Sequence, residues 1–398
     1  MSILGITNDK MTGKKVAIIG VGLTKFGELW EKSYRDLITE AGVKAISDAG
    51  IDGIDVQELF VGSMSPGLFA AQEHIGALVA DYAGLTGIPA TRVEAACASG
   101  GLALRQAYTS IMAGRNDIVV AGGVEKMTDV PTGLAMTALM GAGDEEWEAF
   151  NGATFPALYA LMARRHMMEY GTTIEQISMV SVKNHANAKH NEYAQFQFEV
   201  SLEDVLNSAK VAEPLRLLHC SPITDGAAAV ILASEKKAKE ICDNPVWITA
   251  SAMATDTLAL SDRKSLTQTN SAILAAKDAY KQAGVGAKDI DFAEVHDCFA
   301  IAELLAIEAL GFCKIGAGGK YTEDGHTKIG GEHPVNTSGG LKGKGHPVGT
   351  TGIAQAIEAT LQLRGTAGKR QVKDANIGLT HNVGGSGATA VVHIYRRD

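Results

Sequence analysis

Several shortages narrow the field before any motif is read. The 398-residue chain has five cysteines, at 97, 220, 242, 298 and 313, an odd number with no CxxC pairing. That speaks against a disulfide framework or a zinc ribbon and suits a reducing compartment. No apolar run approaches the roughly 18 residues that a membrane-spanning helix needs. Positive charge is not in excess, because 36 Lys and Arg stand against 45 Asp and Glu for a formal charge of −9. A general nucleic-acid or membrane-surface binder is thereby disfavoured, although a local basic patch can still hold an anionic ligand. The opening MSILGITNDKMTGKK carries too short an apolar segment for a signal peptide, and it has Asp9 and no arginine where a mitochondrial leader would be basic. The end, IYRRD, is not a peroxisomal address. The expected location is the cytoplasm.

What the chain does have is glycine: 45 of them, roughly one and a half times average usage. Its length suits two domains or one large duplicated one. Strand-like runs alternate with helical ones: KVAIIGVG (15–22), ELFVGSM (58–64), DIVVAGG (117–123), AAAVILAS (227–234), VWITASAMA, DFAEVHD, NIGLTHNVGG and ATAVVHIY. Such alternation predicts a mostly parallel sheet covered by helices. A repeat is also visible. EAGVKAISDAGIDGIDVQELFVG (40–62) reads like LAAKDAYKQAGVGAKDIDFAEVHD (274–297): an alanine-rich helix ending at Ala-Gly, an acidic linker, Ile-Asp, then a strand. Glycine there fits a left-handed helix cap. This is a duplicated α/β half, not a short solenoid repeat. Residues 124–220 differ in kind. They are rich in methionine, charge and aromatics, and read as a helical and loop insertion whose methionines form core or line a pocket.

The chemistry-bearing residues fall in four blocks. In EAACASGG (94–101), Cys97 sits among small side chains ahead of the helical run LALRQAYTSIMAG. A helix start would lower a thiolate's pKa and hold an oxyanion, and Gly100 and Gly101 would admit a second loop. In EVHDCFAIAELLAIEALG, His296 and Cys298 end the repeated strand and would share a face if that strand continues. NTSGGLKGKGHPVGTTGIAQ is glycine-rich, but Gly345 follows Lys344 where a phosphate loop needs Ser or Thr. It instead presents His346 just before an apolar helix, placed to accept a thiol proton. THNVGGSGATAVV reads as a tight hairpin with backbone N–H donors to spare. Two lookalikes fail. IIGVGLTKFG has Lys25 where a dinucleotide loop needs its third glycine, and Cys97, His296, Cys298 and His346 lack zinc-site spacing beyond His296-x-Cys298, so no metal is expected.

Together these blocks resemble the thiolase superfamily. CASGG with its helix and DIVVAGGVEKM, then NTSGGLKGKGHPVG, then the glycine-rich penultimate turn stand in thiolase order from about residue 14 to the C-terminus. The resemblance implies an α/β thiolase fold: two duplicated βαβαβαββ halves forming a layered α-β-α-β-α core with a loop-domain insertion. It sets the N-terminal half at 14–123 plus 221–243, a loop domain with the CoA and acyl pocket at 124–220, and the C-terminal half at 244–398. Many thiolases have Asn-Glu-Ala-Phe where this chain has His296-Asp297-Cys298-Phe299, a variant similar to the archaeal and sterol-carrier-protein-type members. Most also have Cys-x-Gly in the penultimate turn, where counting without gaps puts His381 and Val383. In the His-Asp-Cys-Phe subgroup the acid/base role passes to that block's cysteine, so the gain of Cys298 matches the loss.

The resemblance further implies an acetyl-CoA C-acetyltransferase, condensing two acetyl-CoA reversibly to acetoacetyl-CoA and CoA through an acyl-cysteine and feeding the mevalonate route. Cys97 is the implied nucleophile, His346 its base and Cys298 the acid/base. His296 and His346 would hold the enolate oxygen, and the N–H groups of Cys97 and of Val383 or Gly384 would hold the tetrahedral oxyanion. No cofactor is bound permanently, coenzyme A thioesters being substrates. Arg164, Arg165 and Lys183 are candidates for the CoA phosphates, and no motif selects among them. Implied partners are further copies of the chain, as dimer or tetramer, together with hydroxymethylglutaryl-CoA synthase and a small OB-fold protein. The alternatives are a broader 3-ketoacyl-CoA thiolase, a decarboxylating ketosynthase, or a non-catalytic acyl-CoA-binding subunit.

Overall fold

A computed structural model describes residues 15–397. The readings of the extreme termini, including residue 14 as the start of the first half and Asp398, lie outside the described residues. The repeated helices end where their glycines require. Tyr34–Ala49 stops at Gly50 (φ 65°) and Asn270–Ala283 at Gly284 (φ 67°), both left-handed, a conformation that strains any residue with a Cβ. A single 3-10 turn follows each, Gly53–Asp55 and Ala287–Asp289, and then a strand.

The strands are β1 (Val16–Leu23), β2 (Glu58–Gly62), β3 (Ala90–Val93), β4 (Ile118–Glu125), β5 (Lys210–Ala212), β6 (Leu215–Arg216), β7 (Gly226–Ser234), β8 (Val246–Thr255), β9 (Phe292–Glu294), β10 (Ile377–Gly384) and β11 (Thr389–Arg396). Nine of them join in the order β3-β2-β4-β7-β1-β8-β11-β10-β9, while β5 and β6 form a separate hairpin. The order repeats outward from the centre: β1-β7-β4-β2 on one side, β8-β11-β10-β9 on the other. Even the outermost β3 has a counterpart, a parallel bridge between Ala293 of β9 and Val335. Within the sheet the two sides join where Val16–Ile18 pairs with Val246–Ile248.

The sheet is mixed, which corrects the expectation of mostly parallel pairing. β2 runs parallel to β3 and β4, and β9 to β10. The pairs β1/β7, β1/β8, β4/β7, β8/β11 and β10/β11 are antiparallel. The link Gly385–Ala388 is too short for a crossover, so β11 folds straight back on β10. The insertion leaves and returns at one end of the sheet, Glu125 lying opposite Gly226, and this turns β7 antiparallel as well.

Helices Ser99–Met112 and Thr351–Arg364 pack on each other between the two halves of the sheet, while Tyr34–Ala49 and Asn270–Ala283 cover the outer faces. Nearly every residue of Thr351–Arg364 is buried, as expected for a helix covered on all sides. The insertion folds as helices Thr132–Met140, Phe155–Tyr170, Ile174–Ala188 and Leu202–Asn207 plus the β5–β6 hairpin. Its Met140 and Met162 join the core of the second half. Among the described residues no helix is long and apolar enough to cross a membrane.

Candidate active site

Cys97 stands at the tip of a strained turn. Ala96 has φ 52°, a left-handed conformation that costs a non-glycine residue about 1–2 kcal/mol. The Ser99 hydroxyl braces the turn, accepting from Ala95 N–H at 3.0 Å and donating to the Ala96 carbonyl at 2.5 Å. The helix Ser99–Met112 then begins, and its glycines serve as the sequence suggests. A Cβ on Gly100 would lie 2.7 Å from the Gly349 carbonyl, and one on Gly352 would lie 2.1 Å from the Gly101 nitrogen. The starts of the two central helices therefore touch backbone to backbone, one just after Cys97 and the other just after His346.

The environment of the thiol differs from that of its sequence neighbours. In space Cys97 packs with Met64, Phe69, Met127 and Val348. Burial pushes it up to about 12, against the lowering by the N–H groups of Gly385 and Cys97 that face its sulfur. The helix-start effect expected from sequence is outweighed by desolvation.

His346 is a neutral imidazole, pushed down by burial to about 3. With the single Thr351 hydroxyl hydrogen on the Pro347 carbonyl at 3.1 Å, that oxygen accepts from His346 Nδ1 at 2.7 Å. Nδ1 carries the proton and Nε2 keeps its lone pair. The resting pair is thus thiol and base, not thiolate and imidazolium.

The same counting fixes His296. Asn382 Oδ1 accepts from Gly101 N–H at 3.1 Å, and its Nδ2 donates to the Cys97 carbonyl at 3.1 Å. Oriented so, Nδ2 also donates to His296 Nδ1, 3.2 Å away. The His296 proton is left on Nε2, a buried donor without a partner, in a ring whose charged form burial strongly disfavours. Asn382 was not singled out from sequence, since one asparagine in a glycine-rich hairpin carries no signal of its own.

β9 ends at Glu294, so the strand alternation that would set His296 and Cys298 side by side stops short of them. Cys298 lines a cavity of about 420 Å³ together with Cys97 and His346. His296 lines a smaller one of about 20 Å³, shared with His381 and Val383, which is room for about one water. Between them Asp297 turns away, accepting from Leu341 N–H at 2.7 Å, Lys342 N–H at 3.3 Å and Asn184 Nδ2 at 2.7 Å. It ties this segment to the loop bearing His346. The Cys298 thiol is raised by burial, against the lowering by the nearby Tyr159 hydroxyl.

The larger cavity is walled mostly by apolar groups, among them Met127, Met136, Leu139, Phe155 and Val348. In the glycine turn, Val383 and Gly384 lie in β10, where a Cβ on Gly384 would meet the Ala95 carbonyl at 2.4 Å. The N–H facing the Cys97 sulfur is that of Gly385, which sequence counting did not reach. Of the CoA candidates, Lys183 is excluded: it is buried, 3.0 Å from Glu303, and donates to the Val335 carbonyl at 2.5 Å. Arg165 is exposed and paired with Glu169 at 2.8 Å, and Arg164 is exposed.

Ligand atoms of Cys97, His296 and His346 lie within 4.8 Å of one another, a geometry that raises a metal as an alternative. The hydrogen-bond pattern argues against it, since His296 Nδ1 is taken by Asn382 and Nε2 presents a hydrogen where a metal needs a lone pair.

Comparison with known proteins bears on this arrangement. Residues 16–236 match the model described as "Thiolase, N-terminal domain" and residues 252–397 the one described as "Thiolase C-terminal domain-like". The chain is 59% identical over 386 residues to an acetyl-CoA acetyltransferase of Methanothermobacter thermautotrophicus, covering 96% of this chain and 100% of that protein. It is 56% identical over 391 residues to another of that name from Methanocaldococcus jannaschii, covering 96% and 98%. Sterol carrier protein 2 of Bos taurus is 38% identical over 396 residues, covering 96% of this chain and 72% of the relative. A solved structure titled "Ltp2-ChsH2(DUF35) aldolase" superimposes with a TM-score of 0.83 at 29% identity, over 95% of this chain and 97% of that one.

Proposed function

The chain belongs to the thiolase family and is an acyltransferase; on that premise we propose that it is an acetyl-CoA C-acetyltransferase condensing two acetyl-CoA to acetoacetyl-CoA. The observation that carries the reading is the convergence of two thiols and a lone-pair-bearing His346 on one apolar cavity. His346 Nε2 takes the Cys97 proton as the sulfur attacks the thioester, giving acetyl-Cys97. The departing CoA sulfur takes the Cys298 proton. Cys298, now a thiolate, removes an α-proton from the second acetyl-CoA, and the carbanion attacks the acetyl group. The Cys97 sulfur leaves and recovers its proton from His346.

His296 Nε2–H is the donor for the enolate oxygen, with His346 beside it. The N–H of Cys97 and one from the turn Val383, Gly384 or Gly385 hold the tetrahedral oxyanion. Each such donor is worth about 10²–10³-fold in rate. No permanent cofactor enters this scheme. We assign 14–123 plus 221–243 and 244–398 as the two thiolase halves and 124–220 as the loop domain over the acyl pocket. The topological repeat and the cavity walls contributed by residues 127–220 support that division. The reading also includes a cytoplasmic protein that acts as a dimer or tetramer and supplies acetoacetyl-CoA to the mevalonate route. Hydroxymethylglutaryl-CoA synthase and a small OB-fold protein are its proposed partners, in keeping with a fold neighbour whose title pairs it with a DUF35 protein.

The deciding experiment is CoA-dependent cleavage of acetoacetyl-CoA by the purified chain and by Cys298→Ala. The wild type cleaves. The variant takes up acetate on Cys97, seen by mass, yet neither condenses nor cleaves. Condensation at full rate by the variant removes Cys298 from the mechanism. No turnover by the wild type, with Cys97 still acetylated, favours the acyl-CoA-binding subunit.

A further inference from the structure

Tyr159 lies in the insertion helix Phe155–Tyr170 and is 3% exposed. Its ring stacks on Phe299, the residue after Cys298, with centroids 4.6 Å apart and planes at 27°. Its hydroxyl donates to the Gly385 carbonyl at 3.1 Å, and Tyr159 and Cys298 wall the same cavity, the hydroxyl near enough to ease a negative charge on that sulfur. It is also a wall common to the two cavities. A phenol has one hydrogen, so it cannot serve the carbonyl and the sulfur together.

We propose that Tyr159 is the switching hydrogen-bond donor of the acid/base thiol, its hydroxyl hydrogen resting on the Gly385 carbonyl while Cys298 is a thiol and turning to the sulfur when Cys298 is a thiolate. This rests on the reading of Cys298 given above. In this scheme the resting Cys298 S–H donates to Tyr159 Oη, which passes its own hydrogen to the Gly385 carbonyl. When the departing CoA sulfur takes the Cys298 proton, an S–H bond breaks at Cys298 and one forms on CoA. The remaining thiolate is a strong acceptor, and a rotation about the phenol C–O bond delivers the hydroxyl hydrogen to it. Uptake of the α-proton reverses the sequence.

The other groups around Cys298 do not replace this donor. Cys97, from the nucleophile turn, and Asp297, on its own segment, both oppose a negative sulfur. Cys220 and His346 line the same cavity, and His346 is uncharged at rest. The remaining help is the Phe299 backbone N–H. The residue that Tyr159 releases also has its N–H on the Cys97 sulfur, so one residue, Gly385, touches the hydrogen-bonding of both thiols.

The test is Tyr159→Phe, which keeps the ring and its stacking. A hydrogen bond to a charged group predicts a loss of about 10- to 100-fold in condensation rate and a similar loss in Cys298 alkylation at a fixed alkaline pH. The alkaline limb of the rate profile should move up by about one to two pH units. The final extent of Cys97 acetylation and the KM for acetyl-CoA should stay near wild type, which a general loss of structure would not allow, while the rate of acetylation falls with that of condensation. Unchanged condensation and alkylation overturn the proposal. Should Tyr159→Phe fail to fold, replacing tyrosine throughout by 3-fluorotyrosine, a stronger donor, should speed Cys298 alkylation; no change or slowing overturns it. The two ideas fail separately. A fully active Cys298→Ala removes the acid/base reading, whereas an inactive Cys298→Ala with a fully active Tyr159→Phe removes only the switch.

Discussion

Replacing Thr351 with valine keeps the shape of the side chain and removes its hydroxyl. That hydroxyl gives its hydrogen to the Pro347 carbonyl at 3.1 Å and takes the His346 Nδ1–H at 2.7 Å, all three residues being buried. Without it the tautomer needed for proton transfer carries an unsatisfied Nδ1–H, a penalty of about 1–3 kcal/mol. The opposite tautomer, protonated on Nε2, does not bear that cost and cannot accept the Cys97 proton. Acetylation of Cys97 should slow by roughly 5- to 150-fold. Thr351 does not line the acyl cavity, so KM should hold while kcat falls. The loss in global stability should stay near the roughly 1 kcal/mol of one hydrogen bond. Rapid-quench mass spectrometry of Cys97 with acetyl-CoA reads the step directly, and Thr351→Ser should restore it. A valine variant that acetylates at the wild-type rate, or a serine variant as slow as valine, refutes the tautomer argument.

Because the Cys97 thiol is pushed up to about 12 and His346 down to about 3, alkylation of resting Cys97 by iodoacetamide should climb about tenfold per pH unit through neutrality; a plateau above neutral pH would mean a preformed thiolate–imidazolium pair. Gly352→Ala drives a Cβ to 2.1 Å from the Gly101 nitrogen and 2.4 Å from Asn382 Oδ1, so it should abolish soluble, active protein. Gly42→Ala, in the middle of Tyr34–Ala49 with nothing within 4 Å, should instead raise stability by up to about 1 kcal/mol in chemical denaturation. Equal effects of the two would discount the close contact of the central helices.

The repeat, its glycine caps and the main strands could be read in the sequence because each rests on local chemistry: Gly50 and Gly284 stop helices by backbone conformation alone. Strand direction could not, since the reversal at β11 depends on how short Gly385–Ala388 is, and that at β7 on where a long insertion returns. At the site, Cys97 and His346 are legible as reactive types in small-residue surroundings, and Cys298 by its place at the end of the repeated strand. Their protonation was not, because the groups that bury Cys97 come from Met64, Phe69, Met127 and Val348, distant in sequence. Asn382 and Tyr159 carry no such signal: each acts on a partner in another segment, and neither belongs to a residue type that announces chemistry.

The contact between the two central helices has a consequence for how such a chain could work in pieces. Each helix comes from the equivalent place in one repeat, and each begins at the same spot, so the chain carries an approximate two-fold axis through its reaction centre. Two identical half-chains meeting on a true axis would present the same residue from both sides, two cysteines or two histidines. Attack and proton transfer need unlike groups facing each other. Joining the halves in one polypeptide lets the segment before one helix carry Cys97 and the segment before the other carry His346 while the backbone contact that aligns the helices stays the same, and it is this broken symmetry that makes the place reactive.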